Sequence, residues 1–202
     1  SYALLQYNTI FPQKIRPALP VSVGRTIFVF GMEHPHAVIE TTISFIFDEE
    51  GLIAIKSLWR YDNNVSMDLF SIHDKNEDGQ LDDTEITPMI EEITGRLQES
   101  HYFSQLRIDG QPYPITSITN AGAYEKDQRI FLEIAIPCKI PAGEQTTEIR
   151  ISQYDPSYYT AFQFAEPAFQ VIHAGSLKFH VDRRKNMEES YYGGMVHPEE
   201  LL

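Results

Sequence analysis

Twelve residues, Asp74-Lys75-Asn76-Glu77-Asp78-Gly79-Gln80-Leu81-Asp82-Asp83-Thr84-Glu85, constrain this chain more than any other stretch. Their order matches an EF-hand calcium loop at every diagnostic place. Calcium is a hard cation that gathers about six to eight oxygens. Asp74, Asn76 and Asp78 offer side-chain oxygens at alternate positions, Gln80 its backbone carbonyl, and Asp82 an oxygen acting through water. Glu85 closes the set with both carboxylate oxygens. Gly79 permits a sharp turn that a Cβ would obstruct, and Leu81 points its apolar side chain back toward the core.

The flanks carry the helical period such a loop needs. Val65, Leu69 and Ile72 share one face of a short helix, and Ile86, Met89, Ile90, Ile93 and Leu97 share one face of a longer helix. Asp82 and Glu85 suit the N-cap and third positions of the second helix. Pro88 then falls at its sixth position, which predicts a kink or a restart at Thr87-Pro88. The chain has no second loop of this kind, so the expected role is a structural clip rather than a switch built from paired hands.

Elsewhere the texture is that of strands. Ile39, Thr41, Ile43, Phe45 and Phe47 alternate at period two, and Asp48-Glu49-Glu50-Gly51 reads as a hairpin turn into Leu52–Tyr61. Further strands are expected at Gln105–Ile108, Tyr113–Tyr124, Arg129–Ile136, Thr147–Tyr154, Tyr159–Phe164, Phe169–His173 and Leu177–Val181. Such short strands, with Gly and Pro between them, predict a mostly-β (α+β) fold. It is an antiparallel β-sandwich with an inserted EF-hand-like helix–loop–helix at about residues 63–102. Residues 1–32 read as a lead or processed segment holding a strand at Thr26–Phe30, and residues 33–202 as one domain.

Charge narrows the partners. Sixteen basic against 29 acidic residues leave a net charge of −13. The stretch from Asp74 to Glu99 contributes nine acidic residues against Lys75 and Arg96 alone. A field of this sign disfavours nucleic acid and anionic membranes and favours metal cations. No apolar run reaches the length of about 20 residues needed to cross a bilayer, so direct membrane insertion is not expected. One cysteine, Cys138, excludes an internal disulfide and multi-cysteine metal sites. It closes an apolar strand with no base beside it and reads as a small buried hydrophobe.

Two further constellations stand out. In His34-Pro35-His36 the proline enforces extended backbone, so both imidazoles project to one side and could share Zn²⁺, Ni²⁺, Co²⁺ or Cu²⁺. A hydrogen-bonded structural histidine is the plainer alternative. Glu33, His101, His173, His180 and His197 are candidates to complete such a site. Tyr154-Asp155-Pro156-Ser157-Tyr158-Tyr159 reads as a packed corner between strands, with Asp155 as a possible ligand or cleft wall. No nucleophile elbow, phosphate loop, HExxH helix or dinucleotide fingerprint is present, and the chain is not expected to be an enzyme.

In order, these motifs resemble an uncharacterised bacterial family labelled "ABC-type uncharacterised transport system, periplasmic component". The similar features are His34-Pro35-His36 followed by the strand Ala37-Val38-Ile39-Glu40, and then Leu58-Trp59-Arg60-Tyr61-Asp62. They continue through the loop at residues 74–85, the segment from His101 to Gly110, and Tyr154–Tyr159 with Ser157 where the family has Thr. The resemblance runs from Glu33 to the C-terminus. It implies an exported, periplasmic protein that works beside a membrane metal transporter of nickel/cobalt/zinc type. The expected function is therefore a calcium-binding accessory protein of transition-metal transport. Its ligands for calcium are Asp74, Asn76, Asp78, Gln80, Asp82 and Glu85, and its candidate transition-metal ligands are His34 and His36. The alternative is a calcium-stabilised interaction or adhesion module with no transport role.

Overall fold

A computed structural model describes residues 35–143 and 145–202. The expected strand at Thr26–Phe30 and the lead at residues 1–32 lie outside the described residues, as do Glu33 and His34. The described chain is mostly β: two five-stranded sheets and two helices in a sandwich-like arrangement.

The first sheet begins with the hairpin the alternation predicts, β1 (Ala37–Phe47) against β2 (Gly51–Tyr61). Asp48 folds its carboxylate over the turn and accepts from the Glu50 and Gly51 N–H groups at 2.8 and 3.1 Å. Gly51 has φ +144°, and a Cβ there would stand 2.2 Å from the Ile140 carbonyl oxygen, so only glycine fits. β5 (Thr119–Lys126), β6 (Arg129–Pro141) and β8 (Thr160–Ile172) complete this sheet in the order β5-β6-β2-β1-β8. The second sheet has the order β4-β3-β7-β10-β9. Its strands are β3 (Ser104–Ile108), β4 (Gln111–Tyr113), β7 (Ile149–Gln153), β9 (Arg183–Lys185) and β10 (Glu199–Leu201).

One pairing corrects the expected antiparallel sandwich: β1 and β8 run parallel. The corner after β7 carries the chain out of the second sheet and sets it down beside the start of β1. The His36 N–H donates there to the Tyr159 carbonyl at 2.8 Å. Entering at that end, β8 must run the same way as β1. Strand limits differ too. Tyr113–Tyr124 divides into β4 and β5, and Tyr159–Phe164 joins Phe169–His173 in one strand that tolerates Pro167 because it lies at a sheet edge. Leu177–Val181 is irregular, following a turn in which the Leu177 N–H donates to the Ala174 carbonyl.

Ile43, Ile55, Trp59, Leu132, Ile134 and Ile151 fill the space between the sheets and are fully buried. Gln153 is the polar exception. Its amide oxygen accepts from the Thr41 hydroxyl at 2.7 Å and the Trp59 indole N–H at 3.2 Å. Its nitrogen donates to the Ser57 and Ser104 hydroxyls at 3.1 and 2.9 Å. Every bonding group of this buried amide is engaged, and together the bonds fix the sheets in one register.

The helices α1 (Asn63–His73) and α2 (Asp83–Glu99) fall between β2 of the first sheet and β3 of the second. Asp62 starts α1: one carboxylate oxygen accepts from the Val65 N–H at 2.9 Å and the other from the Val38 N–H at 2.5 Å. The cap therefore fastens the helix to β1 as well. α2 continues through Pro88 as one helix, without the expected restart. The missing N–H removes one hydrogen bond, and packing on Met89, Ile93 and Leu97, all buried, holds the helix across it. His101, Tyr102 and Phe103 then form a left-handed turn with φ of 49°, 55° and 49°. Such a run is unfavourable for L-residues. It is held by the burial of Tyr102 and Phe103 and by the Phe103 carbonyl, which accepts from the Tyr154 N–H at 2.9 Å. Among the described residues no helix is long and apolar enough to cross a membrane.

Candidate calcium loop and histidine pair

Residues 74–82 join α1 to α2, and the loop's acidic side chains serve its own backbone. Asp74 accepts from the Asp78 N–H at 3.2 Å on one oxygen and from the Gly79 N–H at 2.9 Å on the other. Asn76 accepts from the Asp78 N–H at 2.9 Å, and Asp78 from the Gln80 N–H at 2.9 Å. Each short polar side chain thus folds over the amide two to five residues ahead and curls the loop. Gly79, at φ 78°, and Glu77, at φ 59°, supply the left-handed steps.

Glu85 closes the ring from the other side. It is buried, and one of its oxygens accepts from the Lys75 and Asn76 N–H groups at 2.7 and 3.3 Å. The second accepts from the Asp82 N–H at 3.2 Å, completing a capping box with the Asp82 side chain. Asp82 itself is held below the usual carboxylate range by the Thr84 hydroxyl and N–H, which donate at 2.6 and 2.7 Å. Leu81 is buried, as an inward-facing apolar position requires. Beside the loop, His73 stands 3.9 Å from Glu92 across the two helices. Its burial lowers its proton affinity, while Glu92 works in the opposite sense.

The donor set is all oxygen and suits a hard cation. The loop's hydrogen bonds draw Asp74, Asn76, Asp78 and Glu85 to the same short stretch of backbone. Among the described residues, no group of three or more His, Cys, Asp or Glu side chains converges closely enough to hold a metal ion. The carboxylates cap amides instead of crowding one another.

Each of the other described candidates has its own surroundings. His36 is exposed at the mouth of β1, its ring 4.8 Å from that of Tyr159. His180 pairs with Asp182 at 3.1 Å, and His197 Nδ1 lies 2.7 Å from the Glu189 carbonyl. His101 and His173 sit at left-handed turn positions. Asp155 is buried, and one of its oxygens accepts from the Ser157 N–H and hydroxyl at 2.9 and 2.7 Å. The other accepts from the Thr160 N–H at 3.0 Å. These bonds lock the corner between β7 and β8. Cys138 is buried, which pushes its thiol up to about 11.

Residues 26–188 match the family DUF1007, described as a protein of unknown function. The chain belongs to that family. The DUF1007 match takes in His34-Pro35-His36, both helices with their loop, and Tyr154–Tyr159. It ends at Glu188, within the segment that lies over the second sheet. No curated protein matches the chain.

Sequence reasoning missed β9, β10 and the segment between them. β10 is only three residues long and two of them are glutamates, so neither alternation nor apolar content marks it.

Proposed function

We propose that residues 74–85 form an EF-hand calcium site that clips α1 to α2 and so secures the link between the two sheets. The observation that carries this reading is Glu85. A buried carboxylate at the last position of the loop is tied to the second and third positions by the Lys75 and Asn76 amides. Asp74, Asn76, Asp78, Gln80, Asp82 and Glu85 would hold the ion, which supplies positive charge to a strongly acidic segment. A lone hand whose helices bury Val65, Leu69, Met89, Ile93 and Leu97 has that apolar surface already in use. Exposing it would cost about 1.5–3 kcal/mol per large side chain, so the role is structural rather than sensory. Calorimetric titration of the chelator-treated chain with Ca²⁺, and with Mg²⁺ as control, tests the site. An absence of heat and of any thermal shift with Ca²⁺ refutes it.

We further propose that the protein is an exported accessory of transition-metal transport, with His34 and His36 as ligands. The support is the ordered set of motifs and the exposed His36 at the mouth of β1. Cell fractionation with metal analysis of the purified chain tests this. A cytosolic protein that retains no nickel, cobalt or zinc leaves the calcium-stabilised interaction module as the surviving reading.

A further inference from the structure

Arg107 on β3 and Arg150 on β7 are directly opposed in an antiparallel pair, side by side on the face of the second sheet away from the core. Like charges so placed repel unless anions lie between them. Glu148 supplies one, accepting from Arg150 at 2.6 Å. The others come from residues 186–198, a strap laid over this face. Glu189 pairs with Arg107 at 2.5 Å and Glu188 with Arg150 at 3.6 Å. Glu189 also accepts from the Tyr154 hydroxyl at 3.3 Å. Tyr191 stacks on Tyr154 with ring centres 4.9 Å apart, and Tyr158 meets Tyr191 edge-on at 5.8 Å.

The strap is fastened at its ends, where the Asn186 N–H donates to the Pro198 carbonyl at 2.8 Å. Its tip is closed by mutual hydrogen bonds of Tyr191 and Val196. Between those points its large aliphatic side chains do not anchor it: Met187 and Met195 are 69% and 71% exposed. Charge and ring stacking hold it down, and both can be supplied equally well by another chain. Beneath it Ser152 and Glu200 are buried, the latter paired with Arg184 at 2.8 Å.

We propose that the outer face of the second sheet, built on Arg107, Arg150 and Tyr154, is a docking surface for an acidic peptide segment carrying adjacent carboxylates beside an aromatic ring. The strap at residues 186–198 occupies it as a built-in competitor. Charge complementarity chooses the occupant. In a chain with a net charge of −13, this face presents two neighbouring guanidinium groups and a tyrosine ring, and the strap's own Glu188, Glu189 and Tyr191 show the pattern that satisfies them. Docking surface and calcium loop share no residue, so the proposal stands apart from the calcium reading.

The test uses the whole chain, the double variant Glu188→Gln/Glu189→Gln, and a labelled peptide with the sequence of residues 188–192, Glu-Glu-Ser-Tyr-Tyr. Amide exchange follows the strap and fluorescence anisotropy follows the peptide. The double variant should exchange faster across residues 187–196 by roughly tenfold, the change that loss of two partly exposed ion pairs implies. It should bind the peptide where the parent chain does not, with binding that weakens as salt rises. Adding Arg107→Gln, or separately Arg150→Gln, should remove that binding while amide exchange in β6 stays slow. Unchanged strap exchange in the double variant overturns the proposal. So does an opened strap with no peptide binding, or binding that survives both arginine substitutions.

Discussion

The Lys75 N–H donates to the Glu85 carboxylate at 2.7 Å, so the second residue of the loop is held by the twelfth. The carboxylate caps backbone amides and, in the proposed site, would also offer oxygens to calcium; substitutions separate the two tasks. With affinity in the range of about 10⁻⁵ to 10⁻³ M, 10 mM Ca²⁺ should stabilise the chain by about 1.4–4 kcal/mol. Glu85→Gln keeps one acceptor oxygen for the Lys75 and Asn76 amides but loses the one that serves the Asp82 N–H. It should therefore lose the calcium-dependent rise in Tm, with a smaller fall in the calcium-free Tm than Glu85→Ala. Glu85→Ala should lower both. A calcium response that persists in Glu85→Gln would remove this residue from the ligand set.

The amide at the centre of the sandwich gives a second measurement. Gln153→Leu leaves the Trp59 indole N–H and the Thr41, Ser57 and Ser104 hydroxyls without the partner they share. Each stranded polar group costs about 1–3 kcal/mol, so a loss of at least about 3 kcal/mol is expected in urea unfolding. Trp59 is the chain's one tryptophan, so its emission reports on this site directly. Native-state emission unchanged in both wavelength and urea midpoint would contradict the shared network.

His101 offers a gain. Its side chain is exposed and its φ of 49° is left-handed, a conformation that costs an L-residue about 1–2 kcal/mol. His101→Gly removes that penalty and adds some unfolded-state entropy, leaving a net stabilisation of about 0.5–1 kcal/mol. His101→Ala should give none. Equal urea midpoints for the Gly and Ala variants would show that the turn is not strained there.

Alkaline pH should weaken the fold. Burial pushes the Cys138 thiol from 9.0 up to about 11, and burial, joined by nearby acidic and phenolic groups, pushes Tyr154 and Tyr191 from 10.0 up to about 12. A raised folded-state value means that the native chain keeps protons the unfolded chain has lost. The contribution of these three groups is therefore constant below about pH 8 and is lost as pH rises from about 9 to 12. The same burial predicts that Cys138 is unreactive toward a thiol reagent at pH 8 until the chain unfolds. Rapid native labelling would contradict it.

Local chemistry made much of this legible. The β1–β2 hairpin follows from strict alternation and the Asp48 turn, and the start of α2 follows from the acidic cap Asp82 with Glu85 ahead of an apolar period. What escaped depends on distant segments. The parallel β1–β8 pair is set by where the Asp155 corner delivers the chain, a fact no window of sequence contains. The passage of α2 through Pro88 depends on packing that a propensity rule does not see. β9 and β10 owe their existence to neighbours: Arg183, Arg184 and Lys185 face Leu201, Glu200 and Glu199, and only Leu201 is an apolar core residue.

The pairing of Ala37 with Thr160 has a consequence for the chain during synthesis. At about 5–20 residues per second, roughly 120 residues separate the emergence of β1 from that of its partner, on the order of ten seconds. Through that interval the β1–β2 hairpin presents a bare strand edge rich in isoleucine and phenylalanine, the kind of template on which nascent chains stick to one another. A factor that shields nascent strands should raise the yield of this protein most when it acts before Thr160 is made.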